Sequence, residues 1–346
     1  MSTQHQVTKK QALLGSDGNI QEPGFAFNQV WEYKRQDIKA PKWRIKEWDY
    51  YYVGNQEYGL CLTIADCGYV GNISASLLDF KNKTQINKSA LLFFTMGKMN
   101  APSTPDIGDF YGKSAQADFA FENNGKEKHL SGVFEEFYDN KDPLIFDIVL
   151  KDIPEDHMVI ATPFNKDKHF YYNQKTNCMK AYGYFTIEGE DYTLEDKNTL
   201  AGLDWGRGVW TYNNTWYWGS FQALLDDGKN VGFNIGYGFG DTSKATENMV
   251  FVDGKGYKLD EVTFNIPQKN GKDDFMSPWT FTSNDGRFYM DFTPIIDRQA
   301  PVNLGILCMI PHQVFGYFKG YFILDNGEKI EINNKIGFAE KVHNKW

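Results

Sequence analysis

Four Asx-Gly dipeptides are the feature of this sequence that most restricts its fold. Asp227-Gly228, Asp253-Gly254, Asp285-Gly286 and Asn326-Gly327 each separate two runs of apolar and aromatic residues. The central residues of a type I′ turn need positive φ, which Asn, Asp and Gly tolerate best, so Asx-Gly between such runs is a strong hairpin signal. The second half of the chain is therefore predicted to form antiparallel hairpins.

The runs between these turns alternate as β-strands do. Phe288, Met290 and Phe292 share one face of a predicted strand, and the residues between them share the other. The first half shows the same alternation less clearly. Aromatic residues make up 16% of the chain, and they favour half-buried pleated surfaces. Short helical pieces are expected only at Gln29–Gln36 and Ser243–Glu247.

We predict an all-β protein with two antiparallel β-barrel-like halves packed together. Many short strands avoid exposed edges by closing into barrels or by packing as sandwiches. The acidic stretch Glu188–Thr199 is the expected boundary between the two halves of the chain, and it lacks a Pro- or Gly-rich linker. This division gives an N-terminal arm (1–40), a first half (41–195) and a second half (196–346).

Composition excludes several classes of function. The net charge of −9 argues against a nucleic-acid partner, because phosphate binding needs a basic field. No apolar run approaches the roughly 20 residues of a membrane span, so no integral membrane segment is expected. The N-terminal residues contain no apolar stretch of signal-peptide length, and we expect a cytoplasmic protein. The four cysteines form no CxxC pair and the histidines are scattered, so neither a metal site nor a cofactor is predicted.

The segment from Gly202 to Phe221 concentrates the residues of interest. Trp216 and Trp218 share one face of a predicted strand and are expected to line a barrel, either as packed core or as the wall of a site. Trp205 and Arg207 precede them, and Arg207 is one of only five arginines among 36 basic residues. An arginine in a lysine-rich chain favours a role for its planar guanidinium, in ligand binding or in a structural ion pair.

Glycines on both sides of Arg207 predict a bulge that turns Asp204 and Arg207 to the same side of the strand. Asp204 and Glu247 are the candidate catalytic acids, since a carboxyl group desolvated among indole rings has a raised pKa. Asn234 lies among alternating glycines and aromatics, and Asn248 follows Glu247 directly before an apolar strand. The alternative for these polar residues, and for Glu340, is a solvated strand end.

Several blocks of the sequence together resemble the domain-of-unknown-function 2804 family. They include LLGSDGNIQEPGFAFNQVWEYKRQDI near the start, GLDWGRGVWTYNNTWYWGSF in the middle, and SPWTFTSNDGRFYMDFTPIIDR towards the end. The final Asn344-Lys345-Trp346 departs from the pattern, which has Arg before the last Trp. The family carries no established activity. Its resemblance to calycin-like tandem barrels implies a lipocalin-like fold and does not settle function.

Two function hypotheses remain open from the sequence. In the first, an aromatic-lined barrel or inter-barrel pocket binds an apolar or amphipathic small molecule, such as a lipid or an isoprenoid, with Trp205, Arg207, Trp216, Trp218, Asn234 and Asn248 as ligand-binding residues. In the second, a cofactor-free hydratase, isomerase or cyclase uses Asp204 or Glu247 as general acid, with indole faces stabilising a carbocation. An exposed aromatic surface for a protein partner is a third possibility.

Overall fold

The structure is a computed structural model, and it describes residues 4–139, 141–195, 198–299, 301–303 and 308–346. Short strands dominate the first part of the chain: β1 (Gln11–Ala12), β2 (Gly24–Ala26), β3 (Trp31–Glu32), β4 (Lys46–Gly54), β5 (Tyr58–Asp66), β6 (Val70–Asp79), β7 (Thr84–Phe93), β8 (Phe110–Lys113), β9 (Ala117–Asn123), β10 (Lys128–Tyr138), β11 (Asp142–Lys151), β12 (Met158–Pro163), β13 (Phe170–Ile187), β14 (Glu190–Thr193) and β15 (Leu200–Val209). The remaining strands are β16 (Asn213–Leu224), β17 (Asn230–Tyr237), β18 (Met249–Val252), β19 (Lys255–Lys258), β20 (Val262–Asn265), β21 (Gln268–Lys269), β22 (Lys272–Asp273), β23 (Trp279–Ser283), β24 (Phe288–Arg298), β25 (Val302–Asn303), β26 (Cys308–Ile323) and β27 (Lys329–Lys345).

Most of these strands form two large curled sheets, and β1 with β3 and β21 with β22 form two small ones, so the prediction of an all-β protein with two packed halves is confirmed. The first sheet has the order β7-β6-β5-β4-β15-β13-β11-β10-β9-β8, with β12, β14 and β2 attached at its side. The second has the order β19-β18-β17-β16-β27-β26-β24-β23-β20, with β25 beside β26. Neighbouring strands in both large sheets pair in antiparallel orientation.

The predicted Asx-Gly turns connect hydrogen-bonded neighbours. The Asp253-Gly254 turn joins β18 to β19, and both residues have positive φ, at 49° and 81°. That pair of angles is the type I′ requirement from which the hairpin was predicted. The other three turns join β16 to β17, β23 to β24 and β26 to β27.

The change of sheet does not occur in the acidic stretch. β15 follows that stretch, yet it pairs with β13 on one side and with β4 on the other, inside the first sheet. The second sheet begins with β16, so the chain changes sheets at residues 210–212. The expected division at residue 195 separated β15 from its pairing partners, because no local composition change marks the end of β15.

The N-terminal arm is integrated into both halves. β2 pairs with β12 in the first sheet, and the Gln4 side chain donates a hydrogen bond to the Leu259 carbonyl in the second half at 2.8 Å. In place of the helix expected near Gln29–Gln36, the described chain has two 3₁₀ turns, at Arg35–Asp37 and Lys42–Arg44. The described residues Ser243–Glu247 form bends rather than a helix.

Each sheet curls around its own apolar interior. In the second half, Phe318 is the centre of a ring cluster with Phe233, Phe281 and Phe292 at centroid distances of 5.1, 5.5 and 4.6 Å. Burial of such rings at roughly 25 cal/mol per Å² of apolar surface, with their edge-to-face contacts, stabilises the interior. In the described part of the chain, no helix is long and apolar enough to cross a membrane.

Candidate functional site

The outer faces of the two sheets pack against each other, and we call this contact the seam. From the first sheet, Tyr50 and Tyr52 of β4 contribute to it, and from the second, Trp218 and Phe338 do. Alternation along the strands explains this arrangement, since neighbouring residues such as Leu203 and Phe221 point into the two interiors instead. Where the two sheets meet, the seam strands are therefore covered on both faces, and the polar residues at that contact are buried.

Asp204 lies on the seam face of β15 and is held by two donors from β13. Its Oδ1 atom lies 2.9 Å from Lys175 Nζ and accepts a hydrogen bond from Asn173 Nδ2 at 2.6 Å. The Lys175 ammonium also lies 3.7 Å from the centroid of the Trp218 indole, a cation–π contact. Asp204 and Lys175 are only 8% and 4% exposed, so this ion pair is shielded from water.

Glu340 of β27 approaches the same point from the second sheet. Its Oε1 accepts a hydrogen bond from Trp216 Nε1 at 3.0 Å, and the residue is 8% exposed. Burial raises the pKa of the Glu340 carboxyl to about 7, and the negative charge of Asp204 adds to this, whereas Trp216 and Lys175 oppose it. A carboxyl group of this kind exchanges a proton near neutral pH.

Glu247 completes a group of three carboxyls at the seam. The Asn234 amide donates to the Glu247 carbonyl at 2.7 Å and accepts from Trp218 Nε1 at 2.7 Å, so it positions both residues. A Cβ on Gly236 would lie 2.7 Å from Glu247 Oε1, so the absent side chain leaves the room that this carboxyl occupies. Burial raises the pKa of Glu247, and Lys175 opposes the rise.

Arg207 does not belong to this group, and the expected bulge at its position is wrong. β15 pairs with β4 in unbroken register, so Asp204 and Arg207, three residues apart, point to opposite faces. Arg207 is fully buried in the first interior. It pairs with Asp49 at 3.0 Å and donates to the carbonyls of Trp48 and Pro102. The guanidinium thus makes structural contacts. Of the two roles that the sequence left open for Arg207, the structural ion pair is the one that these contacts match.

Two further predicted ligand-binding residues, Trp205 and Asn248, pack against or bond to other parts of the chain. The Trp205 ring lies in the first interior, 5.3 Å from the Tyr172 ring centroid and 4.2 Å below the Arg207 guanidinium carbon. Asn248 is 1% exposed, and its side-chain amide accepts from Gly236 N and donates to the Asp260 carbonyl, at 2.7 Å each. The structure thus brings together Asp204, Trp216, Trp218, Asn234 and Glu247, and it separates Trp205 and Arg207 from them.

A small cavity adjoins the Asp204–Lys175 pair. Its lining includes Tyr50, Trp218 and Ser220, and its volume is about 10 Å³. That volume admits about one water molecule, so this conformation has no room here for a lipid chain. One buried acceptor next to Asp204 has no hydrogen-bond partner among the described residues: Oδ1 of Asn173, whose Nδ2 donates to Asp204.

An aromatic cluster borders the three carboxyls on the side of Trp216. The ring of Phe239, in the loop between β17 and β18, lies 5.1 Å from the Trp216 ring and 4.9 Å from the Tyr171 ring. The rings of Trp210 and Phe164 lie 5.4 and 5.1 Å from the Phe239 ring. The seam therefore has an apolar wall next to its polar groups.

Lys175 is the main site residue that sequence reasoning missed. It lies in the run Asn173–Asn177, five polar residues that are all buried although such a run is typical of a loop. Glu340 was noted only as a possible strand end. The aromatic residues before the polar run were the one available signal that it continues a strand. Among the described residues, no three His, Cys, Asp or Glu side chains are placed to hold a metal ion.

The fold and the seam define a class of protein in which two curled antiparallel sheets enclose a polar, aromatic-walled cluster. The chain belongs to the domain-of-unknown-function 2804 family, whose model matches residues 4–346. No curated protein matches the sequence.

Two solved structures are similar to this one in fold. An AttH-like protein of Nitrosomonas europaea aligns with a TM-score of 0.54 and 11% identity, over 91% of this chain and 97% of that one. Kievitone hydratase from Nectria haematococca aligns with a TM-score of 0.52 and 12% identity, over 98% of each chain. At this identity the likeness concerns the fold alone.

Proposed function

We propose that the protein binds a small amphipathic molecule at the seam, with the polar end of the molecule at Asp204 and Lys175 and its apolar part against Trp216 and Trp218. The observation that carries this proposal is the buried carboxyl–lysine cluster between two indole rings, beside a cavity. Ligand pockets combine apolar walls with a few placed polar groups, as here. Binding requires the seam to open beyond the cavity of about 10 Å³.

The polar end of the ligand is inferred to donate hydrogen bonds. Asn173 Oδ1 is a buried acceptor without a partner among the described residues, and the recorded contacts of Asp204 all use Oδ1. A buried acceptor that lacks a donor is unfavourable by about 1–3 kcal/mol, so a ligand hydroxyl or amine that reaches it gains that much. An alcohol of isoprenoid or fatty type has the required chemistry.

The test combines extraction with titration. Purified protein is extracted with organic solvent for mass spectrometry, and geraniol is titrated while indole fluorescence is followed. Trp218→Phe removes an indole from the seam, and Trp205→Phe removes one from the first interior as a matched control. We expect Trp218→Phe to weaken geraniol binding and Trp205→Phe to leave it unchanged. A clean extract with no fluorescence response to geraniol or fatty alcohols would refute binding at the seam.

A second candidate function, proton donation to the bound molecule, is favoured by Glu340. Its carboxyl pKa of about 7 keeps a substantial protonated fraction near neutral pH, as a general acid needs. Protonation of an alkene by Glu340 would leave a carbocation beside the Trp216 and Trp218 rings, and water would then add to it and release a proton. One of the similar folds described above belongs to a protein named as a hydratase, which is compatible with this chemistry.

Isotope exchange tests this second function without a known substrate. Geraniol and related alkenes are incubated with the protein in D₂O, and carbon-bound deuterium is measured by mass spectrometry. We expect incorporation with the wild-type protein and loss of at least tenfold in Glu340→Gln, since a positioned acid typically contributes about 10²–10⁴-fold. Equal incorporation in both proteins would exclude Glu340 as the proton donor.

A further inference from the structure

Phe239 lies in an aromatic cluster that borders the seam at Trp216. Its ring is half-buried and touches the four aromatic side chains described above, at centroid distances from 4.9 to 5.4 Å. Three of those contacts are near-perpendicular, with interplanar angles of 67°, 87° and 87°. Such edge-to-face contacts suit any planar ring of similar size, whether it belongs to the chain or to a ligand.

The loop that carries Phe239 can move at two glycines. Gly238 and Gly240 have φ of 91° and 79°, in the left-handed region that side chains disfavour. A Cβ on Gly238 would lie 2.7 Å from the Thr215 carbonyl oxygen, and one on Gly240 would lie 2.6 Å from Thr162 Cγ2. The closed position therefore depends on both glycines. Because glycine adopts either sign of φ, a change of φ at these two residues would turn the ring away from its neighbours, at the cost of the hydrogen bond from Asp241 N to the Pro163 carbonyl.

The aromatic surroundings of this phenyl ring continue directly into the carboxyl cluster. Trp216 is one of its walls and donates the hydrogen bond to Glu340 at 3.0 Å. Tyr171 is another wall. Burial raises the pKa of the Tyr171 hydroxyl, and the nearby charges of Asp204, Glu247 and Glu340 raise it further. A molecule that replaced the phenyl ring would thus lie against Trp216, the residue that donates to Glu340.

We propose that the ligand of the seam carries a planar aromatic or conjugated ring that replaces the Phe239 side chain, and that the loop residues 238–243 are the gate through which it enters. This inference rests on the proposed function of the seam and adds the chemical class of the ligand. The ring carries a hydroxyl or similar donor for Asn173 Oδ1, the buried acceptor without a partner among the described residues.

The experiment compares ligands of equal size and different shape. 4-Propylphenol and nonan-1-ol have the same numbers of carbon and oxygen atoms, but only the first has a planar ring, and propylbenzene has the ring without the hydroxyl. Calorimetric affinities are measured for the wild-type protein, for Phe239→Ala, and for Phe164→Ala, which removes an equal volume from the same ring cluster but keeps Phe239 in place.

We expect Phe239→Ala to tighten 4-propylphenol binding by about tenfold or more, because a gate closed about nine-tenths of the time weakens apparent affinity by that factor. Phe164→Ala should change it by less than about threefold. Nonan-1-ol should gain much less in Phe239→Ala because it has no ring to place there, and propylbenzene should bind more weakly than 4-propylphenol to every protein because it lacks the hydroxyl. A second readout needs no variant. The association rate of 4-propylphenol with the wild-type protein should level off at high concentration, because gate opening becomes limiting.

Two results would overturn the gate. Unchanged affinity in Phe239→Ala, with an association rate that rises linearly in the wild type, shows that the ring is not displaced. Equal gains for propylbenzene and 4-propylphenol in both variants show only an engineered apolar cavity. In either case, the proposed function stands if nonan-1-ol binds the wild-type protein and binds Trp218→Phe more weakly. If neither alcohol binds any of the proteins, the proposed function fails as well.

Discussion

Replacing Glu340 by Gln makes the stability of this protein less dependent on pH. The Glu340 carboxyl is 8% exposed and accepts one hydrogen bond, from Trp216 Nε1. Gln has nearly the same volume and keeps an oxygen acceptor for that indole, so the substitution chiefly removes the ability to ionise. The charged groups facing it are Asp204, Lys175 and Arg298, and all three remain in the variant.

The magnitude follows from the difference between the folded and unfolded pKa of Glu340. Burial raises it from 4.5 to about 7, so the folded protein holds one proton more than the unfolded chain between these values. The contribution of Glu340 to the free energy of unfolding is therefore largest below about pH 4.5 and falls as the pH rises to about 7. The whole loss is about 3 kcal/mol, at about 1.4 kcal/mol for each pKa unit.

The assay is urea denaturation of the wild type and Glu340→Gln from pH 4.5 to 8.5. We expect the variant to gain about 3 kcal/mol relative to the wild type over this range. Glu331→Gln, an exposed position on the same strand, is the control and should give a constant difference. Since two halves can unfold separately, the infrared band of the protonated carboxyl supplies a second measurement. A difference that stays flat with pH, together with no such band at pH 6, would refute the reasoning.

Three further substitutions test the roles of neighbouring residues. Arg207→Met leaves Asp49 buried without its partner and should destabilise the protein by about 3–5 kcal/mol in thermal or urea unfolding, with ligand affinity preserved in the folded fraction. Trp216→Phe removes the donor to Glu340 and should raise the pKa of that carboxyl by about one further unit in the infrared titration, and a lowered pKa would contradict the assigned hydrogen bond. Gly236→Ala brings a methyl group within 2.7 Å of a strand carbonyl oxygen, and should destabilise the protein by about 1–3 kcal/mol in calorimetry.

The hairpins could be predicted from the sequence because their cause is local. The Asp253-Gly254 turn needs two residues that tolerate positive φ, and the structure gives them φ of 49° and 81°. Strand faces could be predicted for the same reason, and Trp216 and Trp218 do share one. What those residues face was not predictable, because it depends on how two distant sheets pack. The indoles line the seam instead of a barrel interior.

The relation between Asp204 and Arg207 shows where local reasoning fails. Glycines around Arg207 permit a bulge, but whether a bulge forms depends on the partner strand. The irregularity in this pairing lies in β13, between Thr176 and Met179, and the register opposite Asp204 and Arg207 is regular. Lys175 was missed for a related reason, since only a strand covered on both faces can bury a run of polar residues, and that cover comes from the other half of the chain.

The two faces of β13 and β15 separate structural polar groups from those available to a ligand. In the first interior, Arg207 donates to three carbonyl groups and to Asp49, so a ligand there would have to break existing contacts. At the seam, Asn173 keeps a buried acceptor that no described residue uses. Because exchanging a made hydrogen bond for another gains little, whereas pairing a free buried acceptor gains about 1–3 kcal/mol, the seam is the face on which binding is favourable. A ligand found among the rings of the first interior, with the seam still closed, would contradict this assignment.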